Sequence, residues 1–321
     1  MVDSSVKVSV IVPMDRPGPD ALRAIESVLS QKTRHRFELV IVGATAEGLP
    51  ADARVRFAAA PDRNPAIRRN LGAGQARGEI LAFLDDDAFA EPGWIERAVG
   101  WLDEHPGVVA LGGPDPAPED SGPAELISDT LLATRWIGSG IAAHQARPGI
   151  FAVKRPWDVA LVNLFVRRSA FEEAGGFDES IGYIGEDTDL LRRLARKGIV
   201  LYHEGVLVRH RRRRYPGPYL RQRWRYRVKT GERLVRGGGY WTPQVAVFLA
   251  AGAAFLLAIA LVPAFALGML VVYALLTTAL AIPATRLRAR WWPLLPVAFL
   301  AHHAVYWCGM VAGMVRGMLG R

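Results

Sequence analysis

Cysteine is almost absent from this sequence of 321 residues, which contains only Cys308. A single thiol excludes an intrachain disulfide and a cysteine-based zinc site. The first five residues also lack the basic and then apolar pattern of a secretory signal peptide, and the apolar run at 6–12 is too short for one. We therefore expect the first domain of the chain to remain in the cytoplasm.

Charge is missing from one long stretch, because no Asp, Glu, Lys or Arg lies between Arg236 and Arg286. Elsewhere basic residues dominate, with 40 Lys and Arg against 31 Asp and Glu, and arginines cluster just before the uncharged stretch. Basic residues that flank apolar segments are typical of the cytoplasmic face of a membrane protein. We therefore interpret the formal charge of +9 as indicating a lipid bilayer as partner and no nucleic acid.

Three apolar segments follow residue 242, at 245–262, 265–282 and 294–315. Each is close to the roughly 20 residues that a helix needs to cross a bilayer. The alternative, three buried core helices, would leave too little polar chain to cover them. The sequence predicts a multi-pass protein of the plasma membrane or inner membrane, in which Arg286, Arg288 and Arg290 lie on the cytoplasmic side with the first domain of the chain.

Before these segments the chain alternates apolar strand patterns with helical ones. Strands are predicted at 6–12, 37–42, 55–59, 80–84 and 108–111, with amphipathic helices between them. This alternation predicts an α/β fold with a mainly parallel, Rossmann-like sheet. We expect three regions: a cytoplasmic domain at 1–215, a basic interfacial helix and linker at 216–241, and a membrane domain of transmembrane α-helices at 242–321.

Three consecutive carboxylates, Asp85, Asp86 and Asp87, follow the strand predicted at 80–84. Ligands in open α/β sheets bind beyond the carboxyl ends of the strands, and a hard divalent cation would compensate for acids gathered there. Asp85 and Asp87 face the same way in an extended segment, because side chains alternate. The sequence indicates a Mn²⁺ or Mg²⁺ site, with a solvated acidic loop as the alternative.

Three further motifs carry clusters of polar and charged side chains. They are Arg68-Arg69-Asn70-Leu71-Gly72, Gly185-Glu186-Asp187-Thr188-Asp189-Leu190 and Arg221-Gln222-Arg223-Trp224-Arg225-Tyr226. Each also has a structural explanation: a helix with solvated basic residues, the acidic first turn of a helix, and a basic amphipathic helix at a membrane surface. His210 with the arginines at 211–214 would either close over phosphates or contact anionic headgroups.

In this order the motifs resemble those of the family 2 glycosyltransferases, which are inverting enzymes with a GT-A fold, and the resemblance covers residues 6 to 230. It implies that Asp87, with Asp85, holds Mn²⁺ or Mg²⁺ on the diphosphate of a nucleotide-sugar donor. It also implies that Asp187 is the general base, while Asp189 orients the loop or caps the helix. Substrate-binding positions implied by the resemblance are Pro13, Asp15, Arg69, Asn70, Asp85, Asp86, Asn163, Glu186, Gln222, Arg225 and Tyr226.

The chain departs from the family pattern at two places. After the second strand it has Val42-Gly43-Ala44-Thr45, where the family usually has acidic residues that contact the nucleoside. A UDP-sugar, the usual donor, is therefore expected only if the base is bound in another way. Tyr226 stands where membrane polysaccharide synthases have Trp in their Gln-x-x-Arg-Trp motif.

The resemblance implies a metal-dependent glycosyltransferase that transfers a sugar to a membrane-associated, lipid-linked acceptor in the synthesis of a cell-surface polysaccharide or glycolipid. The alternatives are a polyprenyl-phosphate sugar synthase and a non-catalytic scaffold that binds a nucleotide sugar. A synthase of the first kind acts on an acceptor that is already anionic, so it would depend less on Asp187.

Overall fold

The computed structural model describes residues 6–138, 141, 143–155, 158–181, 184–237 and 243–320. The chain divides into two compact units, which we call the sheet unit and the helical unit. The sheet unit comprises Met1–Glu119 and Gly140–Arg211, and the helical unit comprises Asp120–Ser139 and Arg212–Arg321. The segment at 120–139 thus belongs with the apolar C-terminal helices, and the predicted linker at 216–241 extends into 238–242, which lie outside the described residues.

Among the described residues, the sheet unit is built on an eight-stranded sheet. Its strands are β1 (Val8–Pro13), β2 (Phe37–Gly43), β3 (Val55–Ala59), β4 (Ile80–Leu84), β6 (Val108–Gly112), β7 (Ile150–Ala152), β8 (Asn163–Arg167) and β9 (Ile199–His203). Their order in the sheet is β3-β2-β1-β4-β8-β6-β9-β7. A second, two-stranded sheet pairs β5 (Ala88–Ala90) with β10 (Val208–His210) in antiparallel fashion.

The mainly parallel sheet predicted from the sequence is confirmed, with two strands that run against the rest. β8 is antiparallel to both β4 and β6, and β7 is antiparallel to β9. Because β8 is antiparallel to β4, its first residue lies opposite the last residue of β4, as the pairing of Asn163 with Leu84 shows. The start of β8 therefore reaches the same sheet edge as the acids that follow β4.

Helices cover both faces of this sheet. They are α1 (Pro19–Leu29), α2 (Pro65–Gln75), α3 (Trp94–Glu104), α5 (Arg168–Glu173) and α6 (Glu186–Leu194). Alternate residues of a strand point to opposite faces, so Val10 of β1 packs with α1 and α3, while Ile11 packs with α2 and α6. Burial on both faces explains why the central strands are almost entirely apolar.

Helix α2 lies unusually close to the sheet at Gly72. A Cβ atom at this position would be 2.6 Å from Ile11 Cγ2 and 2.9 Å from Val42 Cγ2. The absence of a side chain therefore lets α2 approach β1 and β2, and this approach places Arg69, one turn earlier, beside the ends of the strands.

The helical unit contains α4 (Pro123–Ala133), α7 (Gly217–Val235), α8 (Pro243–Leu261), α9 (Pro263–Ala281) and α10 (Leu295–Met318). Helices α7 and α10 pack with their backbones in contact. Gly309, Gly313 and Gly317 lie four residues apart on one face of α10. A Cβ atom on Gly313 would be 2.0 Å from Val228 O, and one on Gly317 would be 2.2 Å from Val235 Cγ2.

The prediction of three membrane spans is not supported by this unit. Two stretches, Ala264–Ala284 and Ala289–Met318, are long and apolar enough to cross a membrane, whereas the apolar part of α8, Val245–Leu261, is shorter. Most of α10 also lies along α7, a helix with six Arg and Lys residues, from Tyr219 beside His302 to Val235 beside Gly317. Membrane association is suggested, but a multi-pass topology is not.

His302 and His303 connect α10 to neighbouring helices and to the segment after α4. The hydroxyl group of Tyr219 lies 2.8 Å from Nδ1 of His302, and that of Tyr273 lies 2.7 Å from Nδ1 of His303. Nε2 of His303 is 2.8 Å from the carbonyl oxygen of Ile137. These contacts join α7, α9 and the segment after α4 to α10.

Two glycines of α2 provide a test of the packing against the sheet. We expect Gly72→Ala to lower the thermal midpoint of the detergent-purified protein by several degrees, because overpacking of this kind costs about 1–3 kcal/mol. Gly74→Ala is the matched control, since nothing lies within 4 Å of its Cβ position. It should raise the midpoint slightly, because Ala is favoured over Gly in a helix by about 0.5–1 kcal/mol. Equal shifts in both variants would contradict the close approach.

Candidate functional site

The acidic triplet occupies the turn that follows β4. Asp85 leaves the strand, Asp86 and Asp87 form the turn, and the amide of Ala88 donates to the carbonyl oxygen of Asp85 at 3.1 Å before β5 begins. All three acids are partly exposed. The expected position of the triplet, beyond the carboxyl end of a buried central strand, is therefore observed.

His210 joins this acidic edge through the small second sheet. His210 of β10 lies opposite Ala88 of β5 in the antiparallel pair. The backbone amide of Arg211 donates to the carbonyl oxygen of Asp87 at 2.8 Å. Nε2 of His210 lies 3.2 Å from Oδ1 of Asp87. One ligand atom from each of Asp85, Asp87 and His210 falls within 4.8 Å of the others. Among the described residues these three form a group that fits a divalent cation, since carboxylates suit Mg²⁺ and Mn²⁺ and imidazole suits transition ions.

Arg69 connects the acidic edge to the start of α6. Its side chain is 8% exposed, and Nη2 donates to Oδ1 of Asp85 at 2.9 Å while Nη1 donates to Oε1 of Glu186 at 3.1 Å. Burial acts to lower the pKa of Arg69, but the two carboxylates outweigh it and raise the pKa. A buried cation is thus held between two acids that come from different parts of the chain.

The Glu186-Asp187 pair forms the first turn of α6. Gly185 precedes it with φ of 95°, a left-handed conformation that favours glycine. Burial of Glu186, with the nearby charge of Asp187, raises the pKa of Glu186 to about 7 in spite of Arg69. Oδ1 of Asp187 accepts from the amide of Thr188 at 2.6 Å. Asp187 is partly exposed, so its carboxylate is accessible at the mouth of this edge.

Asp189 and Asn70 have contacts that explain their positions structurally. Oδ2 of Asp189 pairs with Arg193 at 2.7 Å, one turn later in α6. Nδ2 of the Asn70 side chain donates to the carbonyl oxygen of Phe177 at 2.8 Å and to Oε1 of Glu179 at 2.9 Å. Its Oδ1 accepts from the backbone amide of Phe177 at 2.9 Å. Asn70, predicted to bind substrate, therefore holds the loop that leads to α6.

Asn163, also predicted to bind substrate, is fully buried. Its Oδ1 accepts from Nε1 of Trp94 at 2.8 Å, and its Nδ2 donates to the carbonyl oxygens of Pro114 and Val206 at 3.2 and 2.7 Å. These bonds use three of the four hydrogen-bonding capacities of the amide. The contacts support a role in holding the two loops beside β10, and they do not support a direct contact with substrate.

A cleft of about 490 Å³ opens at the carboxyl ends of β1, β2 and β3. Its lining includes Asp15, Thr45 and Arg63. Pro13 ends β1 at this edge, and Asp15 pairs with the buried Arg68 at 2.8 Å. A Cβ atom on Gly43 would lie 2.6 Å from the carbonyl oxygen of Met14, so this part of the departure from the family pattern allows two backbone segments to approach closely.

Gln222, Arg225 and Tyr226 lie on α7, in the helical unit. Oε1 of Gln222 accepts from Arg223 at 2.9 Å, and the guanidinium of Arg223 is 4.8 Å from the centre of the Tyr226 ring. Arg225 is exposed. These predicted residues thus belong to a different unit from the acids, and their roles stay predictions.

Residues 9–154 match the model of the protein family described as Glycosyl transferase family 2. The chain carries a family 2 glycosyltransferase domain. It is 31% identical over 216 residues to O-antigen biosynthesis protein RfbC of Myxococcus xanthus, which is 62% of this chain and 16% of RfbC. It is 28% identical over 204 residues to succinoglycan biosynthesis protein ExoO of Rhizobium meliloti, which is 59% of this chain and 56% of ExoO. The chain therefore spans less than two thirds of either relative.

The fold of the family 2 domain is GT-A. Mannosyltransferase PcManGT from Pyrobaculum calidifontis, solved in complex with GDP-Man and Mn²⁺, has a TM-score of 0.58 to this chain at 20% identity. The match covers 94% of this chain and 86% of that one. The expected family and the GT-A fold are both confirmed, whereas the expected membrane anchor is suggested only by the two apolar stretches in the helical unit.

Two candidate residues of the site lie beyond the range 9–154 that matches the family model. Asp187 is positioned through Glu186 and Arg69, and His210 is positioned through the pairing of β10 with β5. The sequence suggested that His210 contacts phosphates or headgroups, and it did not place this residue beside Asp87. A three-residue strand between Val206 and a run of four arginines has no periodic signal that could have revealed the pairing.

The raised pKa of Glu186 predicts a pH dependence of stability. When the pKa of a carboxyl group is higher in the folded protein than in the unfolded chain, ionisation of that group destabilises the fold. Its contribution to stability is therefore lowest at a pH above both pKa values, where the group is ionised in both states. Stability should therefore be greatest below the unfolded pKa near 4.5 and should decline as the pH rises towards 7. The decline attributable to Glu186 amounts to about 3 kcal/mol, at 1.36 kcal/mol per unit of pKa.

We expect Glu186→Gln to remove this decline, so that the variant's thermal midpoint relative to the wild type rises between pH 5 and pH 7.5. The measurement is thermal denaturation in the presence of a chelator. Glu172→Gln is the control, because the Glu172 side chain is 63% exposed and its pair with Arg168 is long, at 3.6 Å. A difference between Glu186→Gln and wild type that stays constant over this pH range would contradict the raised pKa.

Proposed function

We propose that this protein is a metal-dependent, inverting glycosyltransferase that transfers a sugar from a nucleoside diphosphate sugar to a hydroxyl group of a membrane-borne acceptor. The observation that supports it most is the pair of contacts made by Arg69. They hold Asp85, in the candidate metal group, and Glu186, next to Asp187, at one edge of the sheet. Cleavage of a sugar–phosphate bond and deprotonation of an acceptor both require charged groups at such an edge.

On the donor side, Asp85, Asp87 and His210 would hold Mn²⁺ or Mg²⁺. The cation supplies positive charge that stabilises the diphosphate as it departs. The imidazole among the three groups favours Mn²⁺, because Mg²⁺ prefers oxygen ligands. The Mn²⁺ in the PcManGT complex agrees with this choice.

On the acceptor side, Asp187 would take the proton of the attacking hydroxyl group. An inverting transfer needs a base on the face of the sugar opposite the leaving group. The pKa of Glu186, raised to about 7, means that Glu186 is partly neutral near pH 7. The negative charge of Glu186 next to Asp187 is therefore smaller than that of a fully ionised carboxylate. Arg69 compensates for the charge that remains.

For the nucleotide, the cleft at the ends of β1, β2 and β3 is the proposed binding site, with Pro13, Asp15 and Asp86 near the donor. A UDP-sugar, the donor that the family resemblance implies, is our first expectation, and GDP-Man is present in the PcManGT complex. Because Gly43-Ala44 offers no carboxylate to the base, the donor panel must include both nucleotides.

The membrane is the proposed location of the acceptor. Helices α8 and α9 expose large apolar side chains such as Leu257, Phe265 and Leu275, and the uncharged stretch that contains them is bordered by Arg236 and Arg286. This arrangement supports attachment to the cytoplasmic face of the plasma or inner membrane. The names of RfbC and ExoO support a role in polysaccharide biosynthesis. The exposed apolar helices are our reason for proposing that the acceptor is lipid-linked.

The role of Asp187 can be tested with radiolabelled nucleotide sugars. Membranes that contain the full chain are incubated with each donor and Mn²⁺, and the label in the lipid extract is counted. We expect Asp187→Asn to lower the rate by about 10²–10⁴-fold, the usual contribution of a general base. Asp189→Asn is the matched control, since Asp189 pairs with Arg193 within α6 and should keep the rate within several-fold of the wild type.

Two outcomes would contradict parts of this proposal. Equal losses in Asp187→Asn and Asp189→Asn would mean that the first turn of α6, and not a base, is required. Transfer to a lipid phosphate that largely survives Asp187→Asn would instead identify a polyprenyl-phosphate sugar synthase. An absence of transfer from every donor, despite added lipid and glycan extracts of the source cell, would favour the non-catalytic scaffold.

A further inference from the structure

His210 lies between two carboxylates. Its Nε2 atom is 3.2 Å from Oδ1 of Asp87, and its Nδ1 atom is 3.5 Å from Oδ2 of Asp115. Asp115 is fully buried, and its second oxygen, Oδ1, lies 2.8 Å from Nδ1 of His144. A chain of side chains therefore runs from the candidate metal group into the interior of the sheet unit: Asp87, His210, Asp115 and His144.

The backbone around Asp115 is fixed on both sides. The amide of Val208 donates to the carbonyl oxygen of Pro114 at 3.1 Å, and the amide of His210 donates to that of Pro116 at 2.9 Å. β10 is thus bonded to β5 along one edge and to the segment 114–116 along the other. Proline fixes φ, so the two prolines beside Asp115 restrict this segment further.

The glycine before this segment is required by the same packing. A Cβ atom on Gly113 would lie 1.9 Å from the carbonyl oxygen of Val206 and 2.6 Å from that of His203. The segment 113–116 can therefore follow β10 closely only without a side chain at 113. The close contact brings the carboxylate of Asp115 to the inner side of the His210 ring.

A histidine that binds a metal through Nε2 needs a fixed proton and a fixed ring orientation at Nδ1. A carboxylate that accepts the Nδ1–H bond supplies both, and it also raises the basicity of the coordinating nitrogen. A fully buried carboxylate is costly unless partners compensate for its charge. His210 and His144 each face one carboxylate oxygen of Asp115. These two contacts provide the partners that a buried carboxylate needs.

We propose that Asp115 is a positioning residue, which orients His210 as the third metal-binding group, and that His144 holds Asp115 in turn. The inference rests on the proposed use of Mn²⁺ or Mg²⁺ at Asp85 and Asp87. It goes further because it assigns a function to Asp115, a buried acid in the segment 113–116. Asp115 lies 28 residues after Asp87 in the sequence. Its effect is on metal affinity and on the geometry of the imidazole, not on the chemistry of the sugar.

The test measures Mn²⁺ binding to the full chain in detergent by electron paramagnetic resonance, with Mn²⁺ alone and with GDP or UDP added. Pulsed measurements detect the hyperfine coupling of an imidazole nitrogen bound to Mn²⁺. We expect this coupling in the wild type and its loss in His210→Gln. Asp115→Ala should weaken Mn²⁺ binding about 10–100-fold, the usual effect of removing such a partner, and reduce the nitrogen coupling.

Two further variants separate positioning from simple loss of stability. Asp115→Asn keeps an oxygen that can accept from Nδ1, so we expect it to retain the nitrogen coupling and lose less affinity than Asp115→Ala. Glu38→Gln is the control: Glu38 is also a buried acid, bonded to Ser9 at 2.7 Å, but it lies near the amino end of β2, away from the acidic edge. It should lower the thermal midpoint and leave Mn²⁺ affinity unchanged.

The inference is overturned if Asp115→Ala binds Mn²⁺ within twofold of the wild type with the same nitrogen coupling. It is also overturned if Glu38→Gln weakens binding as much as Asp115→Ala. Wild-type binding without nitrogen coupling would exclude His210 as a ligand while leaving the carboxylate site intact. No binding by the wild type under any condition would contradict the proposed metal dependence itself, and the inference with it.

Discussion

The guanidinium of Arg69, buried between α2 and the sheet, donates one N–H group to Asp85 and another to Glu186. Removing the cation of Arg69 and the carboxylate of Glu186 from water costs several kcal/mol per ion, so the two buried groups must remain paired. Since Asp85 follows β4 and Glu186 begins α6, their pairing fixes the distance between the acidic turn and Asp187. The close approach of α2 at Gly72 in turn determines where Arg69 can reach.

The sequence predicted the parallel core of the sheet, the acidic edge and the family, because these depend on local patterns and ordered motifs. It did not predict β8 or the pairing of β5 with β10, which are short strands whose partners are distant in the chain. Asn163 lies opposite Leu84 in the pairing of β8 with β4. From this position its side chain donates to the loops beside β10. Asp115 belongs to no motif recognised in the sequence, and only the structure pairs it with His210.

The helical unit suggests membrane association without supporting the three spans predicted from composition. The glycines at 309, 313 and 317 looked like part of an apolar span, yet in the structure they form the face that receives α7, a strongly basic helix. Small residues permit such contact between helix backbones both in membranes and in water. The exposed apolar surface is therefore concentrated on α8 and α9, which lie within the uncharged stretch of the sequence.

The central claim is that acids from β4 and α6, joined by Arg69, form one site for a metal-bound donor and an acceptor. The most direct measurement is an experimental structure of the full chain with Mn²⁺ and the nucleoside diphosphate identified by the donor panel. The account predicts Mn²⁺ coordinated by Asp85 or Asp87 and by His210, with the diphosphate on the same ion and Asp187 facing the open side of the sugar site. Binding of the nucleotide and metal away from this edge, or a structure in which Arg69 leaves Asp85 and Glu186, would contradict it.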